Sequence, residues 1–157
     1  MADIIAPTAA RIWGQIDANP YFWTLVKAGE IQKMYLDQMI DELKDLANKS
    51  SAINSGNIQA TKQSASELYA AMTSVDAAAE LLSVDLNSAP GAGANSTTLT
   101  NAKNWFSSTL KPWISALWKA VWSTIQKLTT LKEWKISGEL GNNVLGLAKS
   151  SIEITFG

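Results

Sequence analysis

At 157 residues, with 46% apolar and 17% charged side chains, the chain has the size of one domain and enough apolar surface to bury a core. It contains neither cysteine nor histidine, which excludes disulfides, thiolate chemistry, serine–histidine and cysteine–histidine pairs, and HExxH zinc sites. The net charge of −1 is unevenly spread: residues 1–98 carry six basic against eleven acidic side chains, and residues 99–157 carry seven lysines against three glutamates. Such a front and back of opposite sign predict complementary packing, within one chain or between chains. A single arginine and the lack of a basic cluster argue against nucleic acid.

The N-terminal "MADIIAPTAARIW" lacks the basic n-region and the apolar h-region of a secretory signal. No stretch reaches the roughly 18 to 20 apolar residues of a membrane span. The expectation is a chain made soluble without a cleavable signal peptide, either cytoplasmic or exported by a signal-independent route. Pro7 near a first turn and Asn19–Pro20 as a stop predict a short helix over 7–18. A longer helix is expected over 20–48, because Phe22, Leu25, Ile31, Tyr35, Met39, Leu43 and Leu46 recur at three- and four-residue steps. "KSSAINSGN" (49–57) reads as a turn. A third helix over 57–86 places Ile58, Ala65, Leu68, Met72, Val75, Ala79 and Leu82 on one seam, whose small residues allow close helix approach. Together, 1–88 form an acidic helical part.

"NSAPGAGANSTT" (87–98) reads as a linker, its flexible centre at 89–98, within one domain of 1–157. The stretch 99–133 reads as a Trp/Lys-rich amphipathic helix, with Pro112 either kinking it or starting it afresh. On a helical projection Leu117, Val121, Ile125 and Leu128 centre an apolar arc flanked by Ile114 and Leu131, opposite Ser115, Lys119, Ser123, Gln126 and Thr130. Trp113 falls on one border of that arc, Trp118 and Trp122 on the other. Border indoles beside Lys111, Lys119 and Lys127 suit an anionic membrane interface. The first reading of the segment, however, is a core helix whose indole N–H groups reach water, followed by a contact with a partner chain and then by the membrane.

The period then changes to two. Trp134, Ile136 and Leu140, and later Ile152, Ile154 and Phe156, alternate with polar residues, predicting a β-hairpin over 134–157 turning at Gly141–Asn143. A short helix through "NVLGLAKS" is the rival reading of 141–151. Because Ser151–Phe156 would overrun its partner strand, Ile152, Ile154 and Phe156 are expected to contact another copy of the chain, making a homo-oligomer. The fold class expected is therefore mainly α: a three- to four-helix bundle with a C-terminal β-hairpin.

No pattern points to a cofactor or a small-molecule substrate. Asp37, Asp41 and Asp45 line one helix face but lack further ligands, so a solvated stripe is expected rather than a metal or catalytic site; receiving lysines from the basic half is a third use. "GAGA" at 91–94 lacks the flanks of a phosphate loop. With no histidine the only familiar route for a serine nucleophile is a serine–lysine pair, and Ser107 stands four residues before Lys111, a spacing common by chance. The function expected is non-enzymatic and exerted through surfaces: a soluble, toxin- or effector-like membrane-active protein using residues Trp113, Trp118, Lys119, Trp122 and Lys127. The alternative is a self-assembling structural or scaffold subunit, and a histidine-free enzyme comes third.

Overall fold

In the computed structural model, residues 4–54 and 62–129 are described. They form six α-helices: α1 (Ile5–Asp17), α2 (Pro20–Lys27), α3 (Lys33–Asn54), α4 (Lys62–Ser88), α5 (Asn95–Trp105) and α6 (Lys111–Thr129), with a π-helical turn at Phe106–Leu110 joining the last two. The expected hairpin, including Trp134, Ile152, Ile154 and Phe156, lies outside the described residues.

The four longer members close a ring. α3 packs on both α1 and α4, α6 packs on α4, and α1 meets α6. α2 and α5 pack on each other. The bundle is thus α1–α3–α4–α6 around one core, to which Ile12, Ile16, Leu36, Met39, Leu43, Leu68, Met72, Val75, Leu117 and Val121 contribute fully buried side chains. Each such side chain contributes about 1.5–3 kcal/mol by leaving water. Ala65 and Ala79 of the expected seam are buried as well, and so are Ala71 and Ala78 next to it.

The helix expected over 20–48 is in fact two. α2 starts as the sequence suggests: Asn19 Oδ1 accepts a 3.0 Å hydrogen bond from Phe22 N–H, with Pro20 in the first turn. It ends at Gly29, whose φ of +74° suits a residue without Cβ. There Gly29 N–H donates to Val26 C=O and Glu30 N–H to Leu25 C=O, the paired bonds of a Schellman cap. α3 then runs into the expected turn, as far as Asn54. The linker is also shorter than expected, because α4 continues to Ser88 and α5 already begins at Asn95.

Two carboxylates tie the ends of these helices together. Glu30, in the α2–α3 loop, accepts from Gly91 N–H at 2.6 Å and from Ala92 N–H at 3.4 Å. Asp85, near the end of α4, accepts from Gln32 N–H at 2.8 Å, just before α3 begins. That bond sets α3 and α4 antiparallel, since the last turns of one meet the first turn of the other.

The π turn accommodates Pro112. A proline in the second position of α6 offers no N–H to the Ser108 carbonyl four residues back, and its ring would collide with it. Lys111 N–H instead bonds to Phe106 C=O, five residues back, and the widened turn lets the helix continue through the proline.

Candidate functional site

The apolar arc of α6 faces inward. Ile114, Leu117, Val121 and Ile125 are buried, while Lys119, Ser123, Gln126 and Lys127 are exposed on the far side. Residues Trp113 and Trp122 are half-buried against the core. Trp113 belongs to an edge-to-face aromatic row across three helices: Phe22 meets Trp105 at 5.4 Å between centroids, and Trp105 meets Trp113 at 6.1 Å. That row joins α2, α5 and α6.

Trp118 departs from its expected place at the border of the arc, with its N–H toward water. It is 0% exposed, enclosed against Tyr69 of α4 at 5.8 Å between ring centroids. Its Nε1–H has no hydrogen-bond partner among the described residues. A buried donor left so carries a desolvation cost of about 1–3 kcal/mol. By contrast Trp23 Nε1–H donates to Ile16 C=O at 3.1 Å, capping the end of α1. The bundle therefore presents Lys119 and Lys127 fully, Trp113 and Trp122 in part, and Trp118 not at all.

The charges segregate. From Asn95 to Thr129 the chain has four lysines and no acidic residue, whereas α3 carries Asp37, Asp41, Glu42 and Asp45 close together. α3 and α6 are not neighbours in the ring; α4 stands between them on one side and α1 on the other. Among the described residues no ion pair joins Asp37, Asp41 or Asp45 to Lys111 or Lys119. Asp37 pairs with Lys33 of its own helix at 2.7 Å, and Lys44 sits 6.0 Å over the Trp13 ring of α1. Crowding of like charge shows at Glu42, whose carboxyl is pushed above its ordinary range by partial burial first and then by Asp45 and Asp41. Burial likewise raises the Tyr69 phenol, with a smaller push from Asp76 against a lowering hydrogen bond from Thr73.

Among the described residues no cluster of three acidic side chains is arranged to hold a metal ion, and no helix is long and apolar enough to cross a membrane. One polar cleft was not legible in the sequence. Lys103, Ser107 and Lys111 line it from α5, the π turn and α6, opposite Ser83 and Asn87 of α4. The described residues form a helical bundle in which the run from Asn95 to Thr129 carries four lysines and no acidic side chain. No protein-family model matches the chain, and neither a curated protein nor a solved structure is significantly similar to it.

Proposed function

We propose that the protein is non-enzymatic and membrane-active: it engages anionic lipid through its lysine side and then releases the Trp-bearing arc of α6 into the interface. The observation that carries this reading is the acid-free run from Asn95 to Thr129 with Lys103, Lys111, Lys119 and Lys127, whose α6 part lies across the bundle from the acidic α3. A charge distribution of that kind orients the molecule on an anionic surface, each lysine near it contributing about 1 kcal/mol. The unpartnered indole N–H of Trp118 makes the closed position of α6 less favourable than a fully satisfied core, so its departure relieves one buried donor.

Flotation with zwitterionic vesicles, and with vesicles containing phosphatidylserine, tests the reading. Binding to the second kind alone, weakened by Lys119→Gln with Lys127→Gln and persisting in part at high salt, is the expected result. Absence of binding to anionic vesicles rejects it.

A second reading is a self-assembling structural subunit with lateral helix contacts and a strand contact through Ile152, Ile154 and Phe156. Exposed Leu81 and Val84, three residues apart on α4, favour it. Large lipid-independent assemblies, reduced in size by deleting 151–157, are its signature.

A further inference from the structure

We infer that the cleft between α4 and the π-helical step is a binding site for a phosphate-type oxyanion. Five residues whose side chains can donate hydrogen bonds line it: Ser83 and Asn87 from α4, Lys103 from α5, Ser107 from the π turn and Lys111 at the start of α6. None of them has a hydrogen-bond or ion-pair partner among the described residues. Both lysines are half-buried. Two lysines lining one cleft with no ion-pair partner offer an anion positive charge from two sides.

The π turn is what creates the pair. In uninterrupted α-geometry Lys103 and Lys111, eight residues apart, would stand about 80° from one another around the axis. A π turn advances less per residue, and both lysines line the same cleft. No carboxylate lines the cleft with them. Asp85 is committed to Gln32 N–H on the α3 side, and Glu80, one turn before Ser83, forms no ion pair among the described residues. Leu86 and Phe106, both buried, form the apolar wall, which strengthens the pull of the lysines on an anion.

Tetrahedral phosphate matches the donor set, because its several oxygens can accept from two ammonium groups, two hydroxyls and an amide at once. The source of that group is either free phosphate or the monoester headgroup of a lipid. The site needs α4 and the α5–α6 junction together, so it belongs to the closed bundle and does not depend on release of α6.

The test is a titration of the full chain with sodium phosphate against sodium chloride at matched ionic strength, read by amide shifts of Ser83, Asn87 and Ser107 and by the thermal midpoint. A second arm uses vesicles containing phosphatidic acid or phosphatidylserine at equal charge. The expected result is saturable phosphate binding that raises the midpoint, weakened about tenfold or more in Lys103→Gln with Lys111→Gln. Ser107→Ala, which keeps both charges, should weaken it less. If free phosphate fails but phosphatidic acid is preferred over phosphatidylserine, with the same dependence on both lysines, the source is the lipid monoester and the site stands. If phosphate and phosphatidic acid both bind no better than their controls, or if the double variant binds as the wild type does, the site does not exist. Because the first arm contains no lipid, its failure is distinguishable from failure of the membrane reading.

Discussion

Glu30 accepts a hydrogen bond of 2.6 Å from the backbone N–H of Gly91, sixty-one residues further along the chain, and so fastens the α2–α3 loop to the α4–α5 loop. Gly91 has a φ of +61°, and its N–H points at the carboxylate rather than into a helix. Both loops flank the short helices α2 and α5, which pack on each other. Replacing Glu30 by alanine removes the acceptor of two N–H groups and should cost about 1–2 kcal/mol. Denaturant midpoints report the loss, and faster hydrogen exchange at Gly91 locates it. An unchanged midpoint together with unchanged exchange at Gly91 would show that the bond contributes nothing.

Two glycines with positive φ should respond differently to alanine. Gly29→Ala meets no atom within 4 Å and suffers only the backbone penalty of its φ of +74°, about 1–2 kcal/mol. Gly91→Ala has the same kind of penalty and also places a Cβ 2.9 Å from Leu99 Cδ2. It should therefore lower the thermal midpoint further than Gly29→Ala does. The reverse order would mean that Leu99 yields freely.

On α6, Leu117→Ala and Val121→Ala should each cost about 2–4 kcal/mol, because both side chains are fully buried beneath α4. Lys119→Gln, on the exposed face, should change the unfolding free energy by less than about 0.5 kcal/mol. Trp118→Phe keeps an aromatic ring against Tyr69 and deletes the unpartnered N–H. Its cost should be well below that of Trp118→Ala, which empties the site. Equal losses for the two Trp118 variants would show that the indole N–H is satisfied after all.

The raised Glu42 carboxyl gives a pH dependence of definite sign. Above the ordinary value of 4.5 the folded chain holds this proton more tightly than the unfolded chain does. Stability contributed by this group therefore falls as pH rises from the unfolded value through the folded one, and returns on acidification. Glu42→Gln should raise the unfolding free energy at pH 7 by about 0.3 kcal/mol, as expected for relief of like charges one helical turn apart. That advantage should vanish below the unfolded value, where the wild-type carboxyl is protonated in both states. A constant advantage at all pH values would assign the effect to packing.

Much of α6 was legible in its order of residues. Leu117, Val121 and Ile125 recur at helical spacing, and the face they define is the one that is buried, because a rigid period of 3.6 leaves no other way to place them together. Asn19–Pro20 likewise announces the end of α1 and the start of α2 through purely local capping. The break at Gly29 was hidden by the same periodic rule: apolar residues on either side share one core, so their spacing reads as a single helix.

How wide the buried arc becomes was a tertiary matter. A helical projection puts Trp118 at a border, but Tyr69 of α4 covers it. The bonds from Gly91 to Glu30 and from Gln32 to Asp85 join residues 61 and 53 positions apart, as the lysine cleft joins α4 to the π step. Local spacing determines which face of a helix is apolar and where its ends are capped, since those depend on neighbours within a turn or two. Which distant carboxylate meets which backbone N–H, and which lysines share a cleft, depends on how helices are ordered around the core, and only the packed bundle decides that.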